Sequence, residues 1–404
     1  MSIKHILHKN DIFVSLALVL LITIIFIPVT NETVLFDSTT YLRIVQTLVE
    51  THQLVVMSHF LYPVLVGITK LVLNVNYWLA GAIVVYLSEL FLAAILFVMA
   101  RVIFGRQGSA WASIGSAVFA ISLMLVAPVF LLAPIDHHFY FGYIGINVYH
   151  NATMALLKPF AILSFLAATQ VYITKTKSLA LIIGYGISAV LATIAKPSFT
   201  VALLPALGVF TLYRLTRKQW VNWRLLLIGI VLPVLFVLGW QYWFTYASTQ
   251  DIGGGDWHVI LAPLAVFKSW SNYLIPKFLL SIVFPLGITI IYFPKVRKEI
   301  DLLLAWLIFI FGTAYAYLLA EEGVRITHGN FVWSAQIGLF ILFVFTAFFF
   351  VKQSPWATRT EKNFRAGVAW KFWVGVALFS LHLLSGIIWY LHHAGLLGEI
   401  FAWW

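Results

Sequence analysis

The sequence predicts an all-α integral membrane protein that crosses the bilayer about eleven times. Three observations carry this. Hydrophobic residue types make up 62% of the chain. Charged residues make up only 10%, where a soluble domain carries roughly 25%. The apolar residues also arrive in runs of about twenty, the length a helix needs to cross a bilayer core. Little remains outside these runs to build a soluble unit, so residues 1–404 read as one polytopic membrane domain. Its parts are a first span within 1–30, an external loop over 31–77, and the remaining spans within 78–404.

The runs place spans at 12–30, 78–100, 111–133, 152–173, 179–195, 199–214, 224–246, 278–294, 302–320, 331–351 and 372–391. The first has basic flanks at Lys4 and Lys9 and no small-residue cleavage site after it, so it reads as a retained helix. A further run over 59–75 is short, contains Lys70 and has Pro63 near its start. Charge decides how it is placed. Suppose it does not cross and the N-terminus is cytoplasmic. The inside then holds Lys4, Lys9, Arg101, Arg106, Lys175, Lys177, Arg214, Arg217, Lys218, Arg224, Lys295, Arg297, Lys298, Lys352, Arg359, Lys362, Arg365 and Lys371, 18 of the 25 basic residues. If it crosses, 16 of those 18 move outside, against the positive-inside bias. The run 59–75 therefore lies in or against the outer interface, and the C-terminus is external. In a bacterium the host membrane would be the plasma (inner) membrane.

The net charge of +11 is explained by this cytoplasmic bias and does not call for nucleic acid. Cysteine is absent, which excludes disulfide and thiol chemistry. Acidic residues do little to set topology, yet Glu32, Asp37, Glu50, Asp136, Asp251, Asp256, Glu321, Glu322 and Glu399 all fall outside. Function on the outer face is one reason for that placement. No internal repeat, Walker loop or dinucleotide fingerprint is present. Gly253-Gly254-Gly255 is followed by Asp256, lacks the Lys-Ser/Thr of a phosphate loop, and reads as a flexible turn.

The first external loop contains Phe36-Asp37-Ser38-Thr39-Thr40-Tyr41-Leu42-Arg43. On a helix Asp37 and Tyr41 share a face. An amphipathic stretch from Tyr41 to Leu54 follows, then Ser58-His59-Phe60-Leu61-Tyr62-Pro63, then a span ending in Ala-Arg-x-x-Phe-Gly over Ala100 to Gly105. This order of an early acidic residue, an interfacial helix, an aromatic-proline motif and an Ala-Arg-x-x-Phe-Gly span end resembles the GT-C glycosyltransferases. The likeness is to their protein mannosyltransferase and aminoarabinose transferase branch. It covers roughly the first 110 residues in motif order and the whole chain only in topology. The double proline of that branch is absent, and its Asp-Glu pair is Asp37-Ser38 here. The resemblance implies a GT-C-like fold, a polyprenyl-phosphate-linked sugar as donor, a lipid, glycan or protein acceptor, an inverting transfer, and Asp37 as catalytic base. Inverting transfer needs a carboxylate within reach of the acceptor hydroxyl and cationic groups on the departing phosphate. The plainer role for Asp37 is a helix N-cap beside Ser38 and Thr39.

The second external loop runs Pro134-Ile135-Asp136-His137-His138-Phe139-Tyr140-Phe141 and on through His150-Asn151 to Thr153 and Lys158. Aromatic faces suit sugars and polyprenyl chains, and His and Asn hydrogen-bond hydroxyls or phosphate. The plainer reading is an aromatic interfacial belt. Lys158, about two turns into the next span, is either a phosphate ligand or a side chain that snorkels outward. Asp136, His137 and His138 could hold a divalent cation, although no cofactor is required by the sequence.

The last informative loop, Glu321-Glu322-Gly323-Val324-Arg325-Ile326-Thr327-His328, would as a helix put Glu321, Glu322, Arg325 and His328 near one face. Arg325 suits bidentate phosphate contact, or else pairs locally with glutamate. Lys196-Pro197-Ser198 offers another external cation, or is simply a loop. Tyr41, Arg43 and His59 complete the candidate substrate-binding set. Glu89, within a span, has no assignment. Rival classes are a transporter or flippase of lipid-linked glycans, expected to show repeats and midplane charges, and a polysaccharide polymerase, expected to show a large late Arg-rich external loop.

Overall fold

The computed structural model describes residues 9–31, 34–35, 37–52, 59–104, 110–136, 138–243, 258–323, 326–354 and 366–397. His137, Arg325 and the Gly253–Gly255 turn lie outside them. The described residues are mostly helical. α1 (Lys9–Phe26) is followed by α2 (Ser38–Thr51), α3 (Leu61–Leu73), α4 (Tyr77–Phe104) and α5 (Ala110–Leu125). The short α6 (Ala133–Asp136) precedes α7 (Ala152–Ile173), α8 (Leu179–Ala195), α9 (Ser198–Thr216) and a π-helical stretch, Leu225–Val231, that continues into α10 (Leu232–Tyr242) as one span. Then come β1 (Val259–Leu261), α11 (Ala265–Trp270), α12 (Leu274–Ile291), α13 (Phe293–Val296), α14 (Ile300–Leu318), β2 (Leu319–Glu321), α15 (Val332–Lys352) and α16 (Ala366–His393).

Among the described residues, nine helices are long and apolar enough to cross a membrane. α3, α5 and α8 are apolar but shorter. At 1.5 Å per residue α3 is about 20 Å long, short of a bilayer core of about 30 Å. The chain is a multi-pass membrane protein. α7 and α15 are buried along most of their length and form the centre, whereas α1 and α16 expose apolar residues such as Phe13, Leu16, Trp373 and Leu384. Such exposed apolar surface is expected where the solvent is lipid.

Small residues let the central helices approach. A Cβ on Gly312 of α14 would collide with the Ser334 carbonyl oxygen of α15, so any side chain there would push the two helices apart. At the opposite end, Arg101 is buried and its Nε lies 2.9 Å from Asp11 Oδ1. Its Nη2 donates to Asp11 Oδ2 at 3.2 Å, and Ser113 Oγ donates to the same carboxylate. The arginine of the Ala-Arg-x-x-Phe-Gly motif thus clamps α1, α4 and α5 together.

The span expected over 111–133 is helical only to Leu125. Pro128 disfavours helical backbone in the residue before it, and residues 126–130 run without helix or strand. Their polar groups are met by neighbours. Ala127 N–H donates to the His382 carbonyl at 3.1 Å, and Val129 N–H to the Leu280 carbonyl at 3.2 Å. His382 Nδ1 lies 2.7 Å from the Ala127 carbonyl and its Nε2 accepts from Phe284 N–H. The first donates and the second accepts, the neutral tautomer, so this buried histidine is fully used as a staple between α16, α12 and the extended segment.

The described residues of 321–328 form no helix of the kind that would put Glu321, Glu322 and His328 on one face. Leu319–Glu321 pairs antiparallel with Val259–Leu261, with Glu321 opposite Val259. Gly323 and Gly329 then adopt φ values of +73° and +68°, a backbone region incompatible with a continuing helix. Glu321 accepts from Asn330 Nδ2 at 2.8 Å, and Glu322 and His328 are exposed in turns.

Candidate active site

The ends of several helices meet around Asp37. Asp37 occupies the position before α2, yet its own backbone is helical and its side chain makes no capping hydrogen bond. Its Oδ2 instead accepts from Asn151 Nδ2 at 3.0 Å. Asn151 is a true N-cap, accepting from Met154 N–H at 3.0 Å. Its Oδ1 also accepts from Thr153 Oγ1 at 2.7 Å and from Lys196 Nζ at 3.3 Å. Lys196 follows α8 and is only 5% exposed. It donates a second bond to Thr153 Oγ1 at 3.1 Å and lies 4.2 Å from the centre of the Trp333 ring, at the start of α15. A carboxylate and an ammonium from remote parts of the chain thus share one amide.

Histidines and tyrosines line the same place. His150 Nε2 lies 4.0 Å from Asp37 Oδ2. Its ring packs edge-on to Tyr140 and against Trp333. Tyr41, one turn into α2, bonds His59 Nε2 through its hydroxyl at 2.8 Å and packs edge-on to Tyr62. Tyr140 hydroxyl accepts from Gln336 Nε2 at 2.6 Å.

Electrostatics follow from burial. Asp37 is raised above the usual aspartate value chiefly by burial, opposed by the Asn151 bond and the Lys196 charge. Burial pushes Lys196 down to about 7, against the attraction of Asp37. Burial, helped by the Lys196 charge, lowers His150 to about 4 and His59 to about 3. Burial and then Asp37 push Tyr41 up to about 12. Both histidines are therefore neutral near pH 7 and act as hydrogen-bonding groups. The Asp37 side chain retains 31% exposure, so a ligand can reach it.

Of the residues singled out in the sequence, the fold brings together Asp37, Tyr41, His59, His150, Asn151 and Lys196. Others lie apart. Arg43 is exposed on α2. Asp136 is ion-paired with Lys277 and accepts from Ser271 Oγ at 2.9 Å, while His138 packs edge-on to Phe141. Lys158 is buried and donates to Asn147 Oδ1 at 2.8 Å. Glu322 and His328 sit in the exposed turns described above. No group of three metal-ligating side chains occurs among the described residues. Trp333 and Gln336 join the site with no signal in the sequence that singles them out, and Tyr140 and Thr153 are marked there only as members of the second external loop.

No family model matches this chain, and no curated protein matches it. Among solved structures, the chain is similar to the crystal structure of ArnT from Cupriavidus metallidurans bound to undecaprenyl phosphate, at 13% identity and a TM-score of 0.49. That similarity covers 97% of this chain and 77% of that one.

Proposed function

We propose that the protein is an inverting glycosyltransferase of the GT-C type that takes sugar from a polyprenyl-phosphate donor on the non-cytoplasmic face. The observation that carries this reading is the partly exposed carboxylate of Asp37 joined through Asn151 to the buried ammonium of Lys196. Inverting transfer needs that pair of charges. The acceptor hydroxyl oxygen attacks the anomeric carbon, the bond from that carbon to the phosphate oxygen breaks, and polyprenyl phosphate leaves. Asp37 takes the hydroxyl proton, and Lys196 balances the charge on the leaving phosphate. Neutral His150 and His59 offer hydrogen bonds to sugar or phosphate without competing for the proton. An anionic ligand also suits Lys196, because it supplies the counter-charge that burial denies.

The side of the membrane follows from charge. Asp37, Asn151, Lys196 and Trp333 cluster where α7, α9 and α15 begin and α8 ends. The opposite ends and loops carry Lys175, Lys177, Arg214, Arg217, Lys218, Lys295, Arg297, Lys298 and Lys352. The positive-inside bias makes that opposite end cytoplasmic. On this reading α5 and α8 cross along with the nine long helices of the described residues, eleven spans in all, and α2 and α3 lie at the outer interface.

The reading is tested with purified protein in lipid nanodiscs and a panel of undecaprenyl-phosphate sugars, scoring release of undecaprenyl phosphate whatever the sugar. Release that requires both an acceptor and an intact Asp37 is the expected result. Movement of intact donor across the bilayer without release would favour a flippase instead.

A further inference from the structure

The segment 138–151 has no regular secondary structure, yet residues 142–151 are all buried. Backbone polar groups in such a place need partners, and side chains from the surrounding helices provide them. Ser281 Oγ accepts from Ile144 N–H at 3.0 Å. Lys277 Nζ donates to the Phe141 carbonyl at 2.7 Å. Asn147 is held from two sides. Its Nδ2 donates to the carbonyls of Leu123 and Val126 at 3.1 and 2.8 Å, where α5 ends. Its Oδ1 accepts from Lys158 Nζ at 2.8 Å.

Lys158 belongs to α7, the helix that this segment enters. It is 2% exposed, its ammonium lies 5.3 Å from the Phe340 ring centre, and the buried Glu89 of α4 is its opposite charge. A cation in a membrane bundle is costly and calls for a purpose. The hydrogen bond of this one goes to Asn147, four residues before Asn151. We infer that Lys158 is a positioning residue: through Asn147 it fixes the buried segment so that His150 and Asn151 face Asp37. The inference rests on the reading of the Asp37 centre as a phosphate-binding site, since that is what the fixed segment would serve. Glu89 balances the charge, which gives this intramembrane acid a role as well.

Removing Lys158 alone would leave Glu89 buried and uncompensated, so the informative variant is Glu89→Gln/Lys158→Met. Three quantities are measured: thermal stability, backbone hydrogen exchange by segment, and binding of undecaprenyl phosphate. The expected result is near wild-type stability with exchange faster by about tenfold or more within 138–151 and unchanged elsewhere. Undecaprenyl phosphate then binds about tenfold more weakly, as for one lost hydrogen bond felt through Asn151 and Lys196. Lys158→Arg, which keeps the donor and the charge, restores both. Three results would overturn the inference. Binding abolished with exchange in 138–151 unchanged would make Lys158 a direct ligand. Faster exchange throughout the bundle would make it merely structural. No change in either would leave it without this role. If wild-type protein fails to bind undecaprenyl phosphate, the reading of the site fails, and the exchange pattern alone decides whether Lys158 fixes the segment.

Discussion

Asn151 Nδ2 lies 3.0 Å from Asp37 Oδ2 across 114 residues of sequence. The same amide caps α7 and accepts from Lys196. A residue fixed by helix geometry therefore sets the distance between the carboxylate and the ammonium of this centre. Neither charge reaches this place through its own helix alone.

Lys196 makes the site sensitive to pH. Its folded value is about 7 against an ordinary 10.5. Between those values the unfolded chain holds a proton that the folded chain lacks, so this lysine makes stability rise with pH across that window. Below about 7 both states are protonated and its destabilising effect is fully present. Thermal denaturation of ligand-free protein should shift upward by a few degrees from pH 7 to pH 9, and Lys196→Met should flatten that dependence. An unaltered slope in the variant would show that Lys196 is not the titrating group.

Phosphate binding should run the other way. An anion favours protonated Lys196, so affinity for undecaprenyl phosphate should fall as pH rises above about 7. The second ionisation of a phosphate monoester, near 6, is largely complete by then and cannot produce the fall. Lys196→Ala should weaken binding by at least about tenfold, the scale of one charge-assisted hydrogen bond. Titration calorimetry at pH 6.5 and 8.5 measures both effects.

The Asp11–Arg101 pair gives a prediction remote from the site. Asp11→Leu leaves a buried guanidinium without its carboxylate and should cost about 3–5 kcal/mol of stability. Asp11→Leu/Arg101→Met should recover most of it. Undecaprenyl phosphate affinity should be unchanged in the folded double variant, because the clamp lies at the opposite end of the bundle. Reversible unfolding in mixed detergent, paired with binding, checks this.

Orientation is testable without background because the chain contains no cysteine. Single cysteines placed at Lys177, Lys218 and Lys298 should resist an impermeant thiol reagent applied from outside intact cells. One at Thr327 should react. The reverse pattern would put the Asp37 centre in the cytoplasm.

Much of this centre was legible in the sequence because its residues are costly where they stand. An acidic residue early in the loop 31–77, an Asn before a long apolar run and a Lys-Pro between two spans are each conspicuous. Tyr41 was marked by its four-residue spacing from Asp37, a relation that α2 preserves. What was not legible depends on tertiary contacts. Lys158 reads from sequence either as a phosphate ligand or as a side chain that snorkels outward, and sequence cannot show that Asn147 folds back to meet it. The stretch 321–328 has helical spacing, and only the strand pairing with Val259–Leu261 and the two positive-φ glycines reveal the turns. Trp333 is one of 16 tryptophans, and nothing local distinguishes it as the ring beneath Lys196. Arg101 carried the family resemblance yet serves the clamp between α1, α4 and α5.

The central claim is that Asp37 takes the acceptor proton while Lys196 holds the phosphate. Asp37→Asn keeps the shape and removes the basic carboxylate. Release of undecaprenyl phosphate from a sugar-loaded donor, measured beside equilibrium donor binding, separates the two roles. The account expects release to fall by at least about a hundredfold, with donor affinity within a few-fold of wild type. Release at the wild-type rate by the Asn variant would contradict it.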